Sequence, residues 1–194
     1  MRVLLATRNA SKLAEVASII GAAAEVRGLE AYPKLKLPPE EGATYEENAL
    51  AKGRAVARAA GVAALADDSG LEVDELGGEP GVRSSRYAGP ACDPKANNEK
   101  LLRQLDGVPA AARGGRFVCV AALVAPDGRE WLARGEVEGR IAFEPRGVRG
   151  FGYDPIFIPR GYERTFAEMR LGDKNKISHR MRAFRALKRY LNEI

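Results

Sequence analysis

The chain is poor in the residues that build disulfide scaffolds, histidine metal centres and membrane spans. Of its 194 residues only two are cysteine, Cys92 and Cys119, and only one is histidine, His179. The cysteines lie far apart and form no Cys-x-x-Cys pair. That argues against a zinc site and a disulfide framework and points to a reducing compartment, the cytoplasm. A single histidine excludes histidine-rich metal sites. Any metal should be a hard ion held by carboxylates, which favours Mg²⁺, with Mn²⁺ as a substitute. No apolar run approaches ~18 residues, so no membrane-spanning helix is expected. Residues Met1 to Thr7 go straight into a strand pattern, without the length of a signal peptide. The pattern Gly-x-x-x-x-Gly-Lys-Ser/Thr is absent, so there is no Walker loop.

What is present suits a globular protein. The hydrophobic fraction is 45%, and the length fits one domain over residues 1–194, or two closely joined lobes with no separable linker. The net charge of +5, from 31 basic and 26 acidic residues, suits a polyanionic ligand without separating nucleotide from nucleic acid.

The stretch Ala66-Asp67-Asp68-Ser69-Gly70-Leu71-Glu72-Val73 organises the rest. A short apolar run from Val62 to Ala66 reads as a buried strand. It delivers two carboxylates at its tip, and the chain is expected to turn tightly on Gly70. Open α/β sheets bind ligands at such strand ends. Adjacent carboxylates repel unless a cation or proton intervenes. A metal-assisted site and a solvated turn both fit these residues.

Arg2 to Thr7 reads as a first strand. The loop Thr7-Arg8-Asn9-Ala10-Ser11-Lys12 then opens a helix with Leu13, Val16, Ala17 and Ile20 on one face and Gly21 as its stop. Such a loop offers backbone N–H groups to a phosphate, or is a helix capped by Asn9. Residues 25–37 read as a strand and a connection. Glu40 and Glu41 precede a capping box, Thr44 to Glu47, that starts a helix running to Ala60. The two glutamates suit either a metal or the helix dipole.

Asp93-Pro94 starts a further helix. Arg116 to Ala125 is apolar on both faces and reads as a central strand. Pro126 to Arg129 is a hairpin turn, followed by a strand with one solvated face. The fold class is therefore α/β: a mixed β-sheet flanked by helices. Gly147 to Pro155 brackets Phe151 and Tyr153, which suit either base stacking or the core. A last helix follows Ser178. Lys174, His179 and Arg180 gather near its start, where positive charge is disfavoured by the dipole.

These segments, from the first strand to the last helix, resemble one family. Thr7-x-Asn9-x-x-Lys12, Glu40-Glu41-Gly42 before Thr44-Tyr45-x-Glu47-Asn48-Ala49, and Ala66-Asp67-Asp68-Ser69-Gly70-Leu71 are part of the match. So are Gly77-Gly78-x-Pro80-Gly81-Val82-x-Ser84-x-Arg86-Tyr87, Phe151-Gly152-Tyr153-Asp154-Pro155 and Ile177-Ser178-His179-Arg180. Together they are similar to the inosine/xanthosine triphosphate pyrophosphatases. The resemblance implies two lobes with the active-site cleft between them and a homodimer. It implies Mg²⁺-dependent hydrolysis of ITP, dITP or XTP to the monophosphate and pyrophosphate, cleansing the nucleotide pool. By the same resemblance Asp68 is the catalytic base and a metal contact, and Glu40 is a second metal contact. Thr7, Arg8, Asn9, Ala10, Ser11, Lys12 and Lys174 hold the triphosphate, and Ser69 touches the substrate. Phe151, Gly152, Tyr153 and Asp154, with His179 and Arg180, hold the base. Donors near the six-oxo group would favour these purines over adenine, because an unpaired buried donor costs roughly 1–3 kcal/mol. A nucleic-acid module built on the basic last helix is the rival reading. The acidic cluster at Glu40, Glu41, Asp67 and Asp68 opposes it, so neither nucleic acid nor membrane is an expected partner.

Overall fold

The computed structural model describes residues 1–194. Strand β1 (Arg2–Leu5) leads into helix α1 (Ala10–Ile20), then β2 (Glu25–Arg27), α2 (Tyr45–Ala60), β3 (Ala64–Val73), α3 (Pro94–Gln104), β4 (Gly114–Val124), β5 (Glu130–Ile141), β6 (Phe157–Pro159), α4 (Leu171–Ile177) and α5 (His179–Leu187). The six strands hydrogen-bond in the order β2-β1-β3-β4-β5-β6. β1 is parallel to β2 and β3, whereas β5 and β6 are antiparallel, so the sheet is mixed as expected. No helix is long and apolar enough to cross a membrane.

Local chemistry sets the helix ends. Asn9 caps α1 by accepting from the Lys12 N–H. Thr44 and Glu47 complete the capping box of α2, and Gly61 ends it in the left-handed region at φ 66°. Asp93 caps α3, with Pro94 in its first turn. Ala125 N–H donates to the Arg129 carbonyl at 2.9 Å to close the hairpin turn between β4 and β5. β4 is buried along nearly its whole length, as its two apolar faces require.

Two expectations need correction. β3 does not end at the carboxylates: it runs unbroken from Ala64 to Val73, with Gly70 inside it. The alternation of a strand puts Asp67 and Asp68 on opposite faces, and each finds cationic partners there, so neither has to sit at an exposed turn. Lys174 does not belong to the start of the last helix. It lies in the last turn of the separate short helix α4, where positive charge is favoured.

The chain divides into two compact units. The first comprises Met1–Asp68, Cys119–Gly135 and His179–Ile194; the second comprises Ser69–Val118 and Glu136–Ser178. The core of the first packs Val3, Leu5, Val16, Ile20 and Leu65 with Cys119, Leu123, Phe184 and Leu187. The core of the second packs Leu71, Leu101, Leu105, Tyr153, Ile156 and Met169 around the rings of Phe117, Phe157 and Phe166, whose centroids lie 4.7 to 6.0 Å apart. Burial of this apolar surface is the main driving force in each unit.

Candidate active site

In the first unit, Asp67 and Asp68 anchor two neighbouring clusters whose charges act on one another. On the Asp67 side, Lys12 Nζ stands 3.0 Å from Oδ1. Arg180, from α5, donates through Nε to Oδ2 at 3.3 Å and through Nη1 to Glu15 at 2.6 Å. The Cys119 thiol lies 3.9 Å from the same Oδ2. Glu15, Asp67 and Arg180 are all but fully buried. Burial alone would push the Asp67 carboxyl up. Lys12, Arg180 and Lys52 outweigh it and hold the group well below the usual carboxylate range. Arg180 is correspondingly held above its ordinary value by Glu15 and Asp67, against the effect of burial.

The loop ahead of α1 is fastened by its own side chains. Thr7 Oγ1 accepts from the Asn9 N–H at 3.1 Å, and Asn9 Oδ1 accepts from the Lys12 N–H at 3.1 Å. Ala10 and Ser11 are exposed and occupy the first turn of α1, where backbone N–H groups have no partner within the helix. Arg8 faces a different way: its Nη2 donates to the Leu35 carbonyl at 2.7 Å and so pins the segment that leads to Glu40.

On the Asp68 side the partners come from α2. Asn48 Nδ2 donates to Oδ2 at 2.8 Å, and its Oδ1 accepts from the Gly42 N–H at 2.8 Å. A Cβ at Gly42 would lie 2.7 Å from that Oδ1, so only glycine lets this backbone approach so closely. Lys52, one turn after Asn48, places its Nζ 3.7 Å from Asp68 Oδ1 and in a short ion pair with Glu40 Oε1. Burial pushes the Asp68 carboxyl up. Lys52 opposes the rise and Glu40 reinforces it, and the result lies above the ordinary value. Burial also acts to raise Glu40, but Lys52 holds it low. Lys52 is itself held above its usual value by Asp68 and Glu40, despite the opposing effect of its burial.

Glu40 and Asp68 are two hard oxygen donors already gathered around one cation, the Lys52 ammonium. No group of three or more His, Cys, Asp or Glu side chains is arranged to hold a metal. Two carboxylates completed by water and substrate phosphates are the donor set that Mg²⁺ accepts.

In the second unit, Ser69 follows Asp68 along β3 and is half-buried. The Phe151–Asp154 turn is held from within. Asp154 Oδ2 accepts from the Phe151 N–H at 2.9 Å and from Lys174 Nζ at 2.7 Å. The Lys174 ammonium also lies 5.1 Å from the centre of the Phe151 ring. Asn98 Nδ2 donates to the Gly152 carbonyl at 3.0 Å. At Gly150, φ is +73° and a Cβ would fall 2.0 Å from Asp154 Oδ2. The Tyr153 ring lies in the core, and its hydroxyl donates to the Ser84 carbonyl at 2.9 Å. Burial drives that phenol's pKa well above its ordinary value, which leaves Phe151 as the half-buried aromatic face of the turn.

Sequence reasoning gave no role to Glu15, Asn48, Lys52 or Asn98. A signal existed for three of them. Asn48 and Lys52 fall on the stripe of α2 that carries Tyr45, Ala49 and Val56, and Glu15 adjoins Val16 on the buried side of α1. Polar residues on an apolar stripe require buried partners.

A model of the Ham1 family matches residues 3–190. A dITP/XTP pyrophosphatase of Elusimicrobium minutum is 52% identical over 189 residues, spanning 95% of this chain and 96% of that one. One from Streptomyces avermitilis is 46% identical, covering 100% and 98%. Among solved structures, a Ham1 protein from Coxiella burnetii superposes with a TM-score of 0.87 at 38% identity over 100% of both chains. The Staphylococcus aureus Ham1 protein gives 0.86 at 38% identity, covering 100% of this chain and 99% of that one. With the family pattern matched from β1 to beyond α5 and the same fold in those relatives, the chain belongs to the Ham1 family.

Proposed function

We propose that this protein is a nucleoside-triphosphate pyrophosphatase that hydrolyses non-standard purine nucleoside triphosphates, ITP, dITP and XTP, to the monophosphate and pyrophosphate. The observation that carries the reading is the division of labour at Asp67 and Asp68. One carboxylate is neutralised in a buried network that fixes Lys12 at the head of α1. The other is pushed toward basicity beside a second carboxylate and a lysine. The names of the relatives supply the substrate class.

In this reading water attacks the α-phosphorus, the bond to the bridging α–β oxygen breaks, and pyrophosphate leaves with that electron pair. Asp68 takes the proton from the water. A free aspartate, at pKa ~3.9, is a weak base; in the metal-free cluster burial raises the Asp68 carboxyl above its ordinary value, and the Glu40 charge adds to the rise. Lys12 and the first-turn N–H groups of α1 receive phosphate oxygens. Glu40 and Asp68 would hold Mg²⁺, which supplies charge neutralisation to the phosphates. Ser69 contacts the substrate. The Phe151–Asp154 turn, braced by Lys174 and Asn98, offers a ring face and backbone groups to the base. His179 is buried at the start of α5, and Arg180 acts through Asp67 by holding it in place.

The reading includes a homodimer working in the cytoplasm. Its free cysteines, one of them exposed, suit a reducing compartment. Product analysis with Mg²⁺ across ITP, dITP, XTP, GTP, ATP and UTP tests it. Monophosphate and pyrophosphate from the first three, with little from the others, is the expected result. Release of orthophosphate, or no turnover, overturns it.

A further inference from the structure

Lys52 has been given no contact with substrate, yet it occupies the centre of the Asp68 cluster. Its side chain is only 6% exposed, and its Nζ faces Glu40 Oε1 and Asp68 Oδ1 together. Asn48 holds the other oxygen of Asp68 and also fastens the backbone at Gly42, two residues after Glu40. The two carboxylates are thus kept at a fixed spacing with a monovalent cation between them. A divalent metal would use the same two side chains.

We propose that Lys52 is a built-in counter-cation that competes with the divalent metal for Glu40 and Asp68 while no nucleotide is bound, and that it swings to the substrate phosphates when metal and nucleotide arrive together. The inference rests on the reading that Glu40 and Asp68 hold the metal. Glu40, Asp68 and Lys52 sum to one negative charge. A dication entering alone would leave two cations crowded against one pair of carboxylates, and like charges ~4 Å apart repel strongly away from bulk water. A triphosphate removes the conflict by giving the ammonium anionic oxygens of its own. Lysine suits such a move, with a compact charge on a flexible stem. Metal affinity and nucleotide affinity are then coupled, each raising the other.

The experiment is Mn²⁺ binding to the nucleotide-free full chain, followed by electron paramagnetic resonance, for the wild type, Lys52→Met and Lys52→Gln. Binding of inorganic tripolyphosphate with Mn²⁺ is measured beside it. Both variants should bind Mn²⁺ alone at least tenfold more tightly and tripolyphosphate several-fold more weakly. A lysine that merely braces the fold would not shift the two affinities in opposite directions. Unchanged or weaker Mn²⁺ binding, or no detectable binding, overturns the proposal, and undiminished tripolyphosphate binding overturns the swing to phosphate.

Should both variants misfold, the wild type carries the test through acetylation of Lys52 by acetic anhydride, read by peptide mass spectrometry. Saturating Mn²⁺ should raise the rate at Lys52 relative to the exposed lysines, and an unchanged rate overturns the proposal. Variants that tighten on Mn²⁺ in a protein that turns over no triphosphate would sink the proposed function and keep this inference. Turnover with unaltered Mn²⁺ affinity would do the reverse.

Discussion

Asp67 and Asp68 are neighbours in the chain, but the two faces of β3 give them opposite electrostatic company. On the Asp67 face, two carboxylates (Glu15 and Asp67) meet two cations (Lys12 and Arg180). The cluster is neutral and nearly closed to solvent. On the Asp68 face two carboxylates share one lysine, and a negative charge is left over. The first arrangement holds a carboxylate ionised and positions a lysine. The second raises a carboxyl group's proton affinity and leaves room for one more cation. A closed cluster suits a structural task, and an open one suits chemistry.

The largest effect expected from breaking this contrast is in Asp68→Asn. The amide keeps the shape but cannot take a proton, so turnover of dITP should fall by about 10²–10⁴-fold with an unchanged circular dichroism spectrum. Near-normal turnover would remove Asp68 from its role.

Arg180→Leu attacks the other face. It strips Glu15 and Asp67 of a buried partner, and breaking a buried ion pair costs about 3–5 kcal/mol. The loss should show in urea unfolding. A variant within 1 kcal/mol of the wild type would mean that the network is not the strut described here.

Lys12→Met should act mainly through substrate binding. Loss of one charge-assisted contact is worth about 1.5–3 kcal/mol, so kcat/KM should fall roughly tenfold to a hundredfold. A fall in stability without a change in kinetics would return Lys12 to a purely structural part.

The smallest effect sharpens the comparison by contrast. Arg54 and Glu130 make a two-point ion pair at 2.6 and 2.7 Å, but Arg54 is half exposed. Arg54→Ala should change stability by about 0–1 kcal/mol. A larger change would show that ion-pair geometry, and not burial, sets the value of charge pairs in this protein.

Much of the framework was legible because its signals are local. The caps at Asn9, Thr44 and Asp93, the stop at Gly21, and the doubly apolar β4 all depend on residues within a few positions of one another. β3 was misread for the same reason. Asp67-Asp68-Ser69-Gly70 has the composition of a turn, and the cations that keep it a strand come from positions 12, 52 and 180. Lys174 was likewise drawn toward α5 by its place in the chain, whereas its partner is Asp154.

The sequence by itself determined the α/β class, both ends of α1 and α2, the start of α3 and the identity of the charged residues, because caps, periodicity and composition act at short range. Only the tertiary structure decided that Asp67 is neutralised while Asp68 is poised, and that Lys52 stands between Glu40 and Asp68. Those outcomes depend on which distant charges share a low-dielectric interior, and ion pairing there is governed by distance in space.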